Sequence, residues 1–191
     1  MTSWKITQMC RSIMLVVIYS SFFYNALLIS ITRSDCGAGI GRASKNFLLK
    51  FFEKVDLVDQ NSKFLDEARD SYLKDEVASG KVQELIPIGL QEFNPAIGRY
   101  DMIWIQWVLV HLMDDDIIAL LKRCRDALTT NGVIGVKENV SQRGVAETHD
   151  HSITRPPNEL ESIFEQAGLQ VTKRIVITEP REYYPVHMYI L

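Results

Sequence analysis

The chain has 191 residues, 47% of them hydrophobic and 24% charged, which is enough for one globular domain with a sizeable core. A formal net charge of −3 and a pI near 5.8 leave no electrostatic footprint for nucleic acid. Cys10, Cys36 and Cys124 are scattered and odd in number, so they suggest neither a disulfide framework nor a Cys-x-x-Cys metal pair and point to a reducing compartment.

The amino-terminal thirty residues admit two readings. Lys5 and Arg11 precede a stretch, 13–31, with no charged side chain, which by length alone is a membrane span or signal anchor. Ser20, Ser21, Asn25 and Ser30 dilute that stretch, and Tyr19 and Tyr24 lie inside it. The competing reading makes residues 25–31 a buried parallel strand, because such strands are near-continuous apolar runs and the next motif needs one before it. One segment cannot do both. We carry the strand forward, with 1–25 an atypical amino-terminal segment and 26–191 the folded domain.

That next motif is Asp35-Cys36-Gly37-Ala38-Gly39-Ile40-Gly41-Arg42. Three alternating glycines between a strand and a helix let the backbone turn sharply and present helix N–H groups to a polar ligand. A dinucleotide fingerprint reads Gly-x-Gly-x-x-Gly, whereas the spacing here is Gly-x-Gly-x-Gly with an acid two positions before it. Asp35 would repel a pyrophosphate and pair with an ammonium group. A nucleoside with an amino-acid end, such as S-adenosylmethionine, suits the motif better.

Residues 43–52 are amphipathic and fit a helix on the sheet. Residues 54–58 alternate as a second strand ending at Asp59, followed by Gln60 and Asn61. An acid about 20 residues past the glycines is where a ribose hydroxyl pair is held, so these three are cofactor candidates. Residues 62–73 carry helical spacing through Phe64, Leu65, Ala68 and Tyr72, capped by Asn61 or Ser62. A third strand over 82–88 leads to Leu90 and Gln91, where an adenine ring has a backbone and an amide beside it. The fourth strand, 100–105, delivers Gln106, Trp107 and His111 at its carboxyl end. A helix begins at Asp114 to Asp116, striped by Ile117, Leu120, Leu121, Cys124 and Leu128. Asn131-Gly132 reads as a turn before a fifth strand, 133–137, ending at Glu138-Asn139. Residues 141–158 read as irregular, with Pro156-Pro157 blocking helix until Glu159. A helix to Ala167 and two closing strands, 171–178 and 186–191, complete the chain.

Strand and helix alternate until a late strand pair with no helix between, the pattern of a doubly wound α/β fold with a mostly parallel sheet and an antiparallel edge. In such sheets the ligand sits outside the strands' carboxyl ends, which collects Asp35, Gly37, Asp59, Gln91, Gln106, Trp107, His111 and Asn139. His149-Asp150-His151 offers two imidazoles on a loop without a clear third ligand, so no metal is expected. Trp104 and Trp107, three apart across a strand end, both read as core on pattern alone.

From Asp35 to Leu191 the sequence resembles the S-adenosylmethionine-dependent α-N-terminal protein methyltransferases, which modify proteins beginning Xaa-Pro-Lys. The resemblance is carried by the glycine motif, residues 55–59, 89–91, the run Trp104-Ile105-Gln106-Trp107 with His111-Leu112, and Lys137-Glu138-Asn139. It implies a Rossmann-like methyltransferase domain with a seven-stranded type of sheet, located in cytoplasm or nucleus, with substrate-protein tails as partners. It further implies that Gly37 and Arg42 hold the methionine portion of the cofactor, Asp59 the ribose, and Leu90 and Gln91 the adenine, with Gln106 lining the same site. Trp107 would line the substrate channel, Asn139 would hold the amino end, and Glu147 would receive the third-position lysine. His111 and Asp150 match the positions of the proton acceptors.

Met1 to Ile31 does not resemble the family's longer amino-terminal part, whose helices cover the substrate channel. The alternatives this leaves are a catalytically impaired cofactor-binding variant acting as a binding module, and a membrane-anchored methyltransferase.

Overall fold

The computed structural model describes residues 32–147, 149–177 and 184–191. Both readings of the stretch 13–31 therefore fall outside the described residues. The strand leading into the glycine turn is β1, described from Thr32 to Cys36. Its side chains are polar, yet Arg33, Ser34 and Asp35 are all buried, at 3%, 0% and 1% exposure. Each is accommodated locally. The Arg33 guanidinium stacks 4.1 Å over the Phe52 ring, Ser34 Oγ meets Cys36 Sγ at 3.5 Å, and Asp35 bonds Ser44. A central strand is defined by backbone pairing on both edges, so satisfied polar side chains can occupy it despite the apolar rule.

A π-helical turn, Ser44–Leu48, runs into Leu49–Phe51 to make α1 (44–51). Next come β2 (Lys54–Val58), then Ser62–Glu67 continued by Ala68–Tyr72 as α2 (62–72), α3 (Lys74–Ala78) and β3 (Val82–Ile86). β4 (Tyr100–Gln106) leads through a 3₁₀ turn, Leu109–His111, to α4 (Asp114–Asp126) and β5 (Leu128–Asn139). A hairpin of β6 (Val145–Glu147) and β7 (Ser152–Thr154) precedes α5 (Pro157–Gln166), β8 (Lys173–Ile177) and β9 (Val186–Ile190).

The main sheet runs β3-β2-β1-β4-β5-β9-β8, with β9 antiparallel to both its neighbours and the remaining pairs parallel. This bears out the doubly wound sheet with an antiparallel edge. The strand order reverses between β1 and β4, so the crevice expected of such folds opens above those two carboxyl ends. Strand alternation divides the core. On β4, Ile103 and Ile105 join Ile117, Leu120 and Leu121 of α4 and Leu160 and Phe164 of α5 on one face. Met102 and Trp104 join Leu48, Leu65 and Leu73 on the other.

Five local expectations are corrected. Asn131-Gly132 lies inside β5 as an irregularity, because the β4 register jumps from Tyr100↔Leu128 to Met102↔Val133. Leu128 accordingly starts β5 instead of ending the helical stripe. The stretch read as irregular contains the β6–β7 hairpin, whose three-residue strands are too short for a period-2 signal. Pro157 sits in the first turn of α5, where a missing N–H costs nothing, so the helix starts two residues earlier than expected. On α2, Leu65 and Ala68 are buried as expected, but Phe64 is exposed. Among the described residues no helix is long and apolar enough to cross a membrane, and no group of three or more His, Cys, Asp or Glu is placed to hold a metal ion.

Candidate active site

The glycine turn is fastened to β2 before any ligand is considered. Gly37 and Ala38 both donate backbone N–H to the Val58 carbonyl, at 2.9 and 3.0 Å. Gly37 and Gly39 adopt φ of +73° and +55°, in the left-handed region that favours glycine. A Cβ on Gly37 would stand 2.7 Å from Val108 Cβ, so loop and post-β4 turn approach as closely as two backbones with one side chain between them allow. At Gly39 a Cβ would meet nothing within 4 Å. The loop is therefore open on the side where a ligand would lie.

Asp35 faces inward. Its Oδ2 accepts from both the Ser44 N–H, at 3.1 Å, and the Ser44 hydroxyl, at 2.6 Å, tying β1 to the start of α1. Burial pushes its carboxyl up to about 6, against the pull of those two bonds, and the neighbouring Asp59 adds to the rise. The folded value lies above the unfolded one, so stability linked to Asp35 is full below about pH 4 and is lost as the pH rises through 6. Asp35→Asn cannot ionise and escapes that loss. In urea unfolding, the stability difference between variant and wild type should move toward the variant by about 2 kcal/mol between about pH 4.5 and pH 8. An unmoving difference would refute the assignment.

Asp59 stands just past β2 with both oxygens engaged: Oδ2 accepts from Gly39 N–H and Oδ1 from Asn61 N–H, each at 2.8 Å. Each oxygen keeps a second lone pair for a hydroxyl. Asn61 caps α2 through Lys63 N–H at 3.1 Å, which decides between the two expected caps, while Gln60 is exposed. Leu90 is buried and Gln91 exposed in the turn after β3. That turn is held by Arg123, which donates to the carbonyls of Leu90, Gln91 and Phe93. Arg42 is exposed at the start of the first helix. Gln106 accepts from Trp104 Nε1 at 3.2 Å. An open glycine loop, a half-exposed carboxylate with spare lone pairs and an exposed amide beyond β3 fit the adenosyl and amino-acid ends of S-adenosylmethionine.

The two tryptophans part company. Trp104 is buried at 2% exposure, whereas Trp107 is 45% exposed with φ +52°, a strained conformation for a bulky side chain. Its N–H bonds the Lys137 carbonyl at 3.0 Å, and Lys137 Nζ lies 4.6 Å from its ring centroid. Asn139, half-buried, ends the neighbouring strand β5.

His111 and Asp150 are both exposed, and hydrogen bonding from Ser152, with smaller contributions from the nearby His149 and His111, holds Asp150 below the usual carboxylate range. Glu147 accepts from the Tyr184 hydroxyl at 3.5 Å and lies 3.5 Å from His149 Nδ1.

Three residues with evident structural roles here were absent from the candidate set. Glu138 is 1% exposed. Its Oε2 accepts from Leu109 N–H at 3.0 Å and its Oε1 from Asn139 N–H at 2.9 Å, while burial pushes its carboxyl up to about 7. Arg155, 3% exposed, donates to the carbonyls of Leu109 (3.1 Å) and Leu112 (2.7 Å) and to Asp114 Oδ1 (2.7 Å). Hydrogen bonds to a charged group contribute about 1.5–3 kcal/mol each, so the carbonyl bonds dominate. The Asp114 side chain is 64% exposed, and that ion pair is worth about 0–1 kcal/mol. Tyr184 is the third. The available signal for Glu138 was a charged pair closing an apolar strand, which a buried carboxylate requires some nearby N–H groups to explain.

The comparisons with known proteins agree with one another. The chain matches the family described as AdoMet dependent proline di-methyltransferase over residues 23–191. It is 44% identical over 160 residues to alpha N-terminal protein methyltransferase 1 of Dictyostelium discoideum, covering 82% of this chain and 58% of that protein. It is 45% identical over 156 residues to N-terminal Xaa-Pro-Lys N-methyltransferase 1 of Danio rerio, covering 81% and 67%. The chain thus spans between about half and two thirds of the length of these relatives. Among solved structures, a SAM-dependent methyltransferase from Leishmania major superposes with a TM-score of 0.77 at 34% identity, covering 92% of this chain and 71% of that one. A Burkholderia thailandensis N-methyltransferase, at 17% identity and a TM-score of 0.72, shares the fold.

Proposed function

The chain belongs to the AdoMet dependent proline di-methyltransferase family, and from that premise we propose that it transfers methyl groups from S-adenosylmethionine to the α-amino group of proteins that begin Xaa-Pro-Lys after Met removal. The observation that carries this reading is the contact between Gly37 and Val108. It brings the glycine loop against the residue preceding the turn that bears His111, which supports a reading in which donor site and proton acceptor share one crevice.

When bound, the cofactor supplies a methyl group activated by its sulfonium. The chain's own residues do the rest. Gly37, Gly39, Arg42 and Asp59 with Gln60 and Asn61 would hold the cofactor's polar ends, Leu90 and Gln91 would border its base, and Gln106 would line the same site. Trp107 walls the substrate channel, and the Asn139 amide orients the incoming amine without adding charge. Glu147 receives the third-position lysine. An α-amine has a reference pKa near about 8 and is mostly a cation at neutral pH, with no lone pair to attack a methyl group. A neutral imidazole at His111 takes that proton. Asp150, held low, remains a carboxylate at neutral pH, where it attracts the ammonium and accepts a hydrogen bond from it. The work is positional, with no covalent intermediate. Cytoplasm or nucleus is the compartment this substrate class implies.

Mass spectrometry of a Ser-Pro-Lys-initiated peptide after incubation with protein and S-adenosylmethionine tests the proposal, beside an N-acetylated control. Gain of mass in steps of one methyl group, on the free-amine peptide alone, is the expected result. No gain with cofactor binding intact would instead indicate a non-catalytic binding module.

A further inference from the structure

The 3₁₀ turn that carries His111 is held from two sides by buried polar side chains, a carboxyl group and a guanidinium. On one side the Glu138 carboxylate accepts from the turn's leading N–H at Leu109 and also from Asn139 N–H, the residue following it on β5. On the other, the Arg155 guanidinium grips the carbonyls of Leu109 and Leu112, which flank Val110 and His111. Arg155 lies one residue past β7, and the first residue of β7, Ser152, donates its N–H to Asp150 at 3.1 Å. The Arg155 backbone carbonyl in turn accepts from Ser141 N–H at 3.1 Å, fastening the base of the hairpin.

We propose that Glu138 and Arg155 are positioning residues that lock His111, Asn139 and Asp150 into one register. Resting on the methyl-transfer reading, this deepens it by assigning the alignment of the amine-handling groups to two side chains that touch neither substrate nor cofactor. The argument is geometric. A short 3₁₀ turn has only two internal bonds here, His111 N–H to Val108 and Leu112 N–H to Leu109 carbonyls, both 3.1 Å. Such a turn does not fix a side chain by itself, since 3₁₀ geometry makes poorer hydrogen bonds than an α-helix. Glu138 takes the Leu109 N–H, and Arg155 takes the carbonyls of Leu109 and Leu112. Because each also bonds the segment that delivers a second site residue, movement of one group moves the set. Arg suits the task and Lys does not, because only a planar fork reaches two carbonyls and a carboxylate at once.

Arg155→Lys and Glu138→Gln test this, each alone and combined with His111→Gln. In steady-state methylation of the Ser-Pro-Lys peptide, either single variant should lower kcat by about 10- to 100-fold, with the S-adenosylmethionine Kd within about threefold of wild type, as expected for misplacement by a fraction of an ångström. In the His111→Gln background the same substitutions should cost clearly less than in the wild type, since the part of their effect that runs through His111 is already gone while that through Asn139 and Asp150 remains. Full additivity would mean that both merely support the fold, and would overturn the proposal.

A second measurement does not depend on activity. Carboxyl carbon NMR should show the Asp150 titration of Arg155→Lys displaced upward toward the ordinary range, as the Ser152 N–H that bonds it is displaced. An Asp150 titration unchanged by Arg155→Lys would overturn the brace even if methylation fell. A wild-type protein that methylates nothing would remove the methyl-transfer reading alone, and the NMR result would then decide the brace.

Discussion

His111→Gln is expected to lower the methyl-transfer rate by about 10²- to 10³-fold and to leave S-adenosylmethionine affinity at the wild-type value, within the range associated with removing a general base. His111 is exposed at the end of the 3₁₀ turn, and its side chain makes no contribution to the core that Gln would undo. What is lost is a group able to accept a proton near neutral pH. Asp150→Asn should act in the same direction with a smaller factor, because a carboxylate held low is an attractor of the ammonium more than a strong base. Asn keeps the acceptor oxygen for Ser152 and removes the charge. Raising the pH of the assay distinguishes deprotonation from orientation. As the free amine becomes abundant above its own pKa, the defect of His111→Gln should shrink, while a defect of orientation would persist. Both rates are read by single-turnover methylation of the Ser-Pro-Lys peptide, with cofactor affinity from calorimetry. Equal losses in rate and in cofactor affinity for both variants would exclude them as proton acceptors.

Gly37→Ala destabilises the fold by about 2–5 kcal/mol, the sum of a left-handed backbone for a residue with a Cβ and an overlap in a packed region. The overlap is specific: the new methyl group would lie 2.7 Å from Val108 Cβ and 2.9 Å from its Cγ2. Gly39→Ala provides the internal control. Its φ is similarly positive at +55°, but its Cβ meets open space, so only the conformational term of about 1–2 kcal/mol remains. The difference between the two variants in urea unfolding therefore measures the Gly37–Val108 contact. Because relief of that overlap displaces the post-β4 turn, Gly37→Ala should also weaken cofactor binding by more than about tenfold and slow methylation at saturating cofactor. If the two substitutions proved equally costly, the loop and the His111 turn would not be in the contact on which the shared crevice depends.

Several elements were legible because their signals are local. The glycine spacing, the acid at position 59, the amphipathic stripe of Ile117, Leu120, Leu121 and Cys124, and the short apolar run of β4 each reflect a periodicity or turn requirement within a dozen residues. The resemblance added the family. By contrast, Thr32 to Cys36 carries no apolar signal, so hydrophobicity alone did not mark these residues as strand. Polar residues occupy that strand because partners 9 to 19 residues away, Ser44 and Phe52, take their side chains. Trp104 and Trp107 likewise carry the same pattern but opposite fates, since strand alternation ends at Gln106 and the left-handed Trp107 turns its ring outward.

The sequence by itself determined the alternation of strand and helix, the antiparallel edge, and the residue types that can hold a nucleoside with an amino-acid end, because those follow from spacing along one chain. Only the tertiary structure decided that Asp35 faces Ser44, that Gly37 rests on Val108, and that Glu138 and Arg155 close on one turn from opposite sides. These contacts join residues from 9 to 71 positions apart. Long-range pairing of buried charge with backbone groups leaves no periodic mark in a sequence. It is fixed by the requirement that every buried donor and acceptor find a partner once the sheet has assembled.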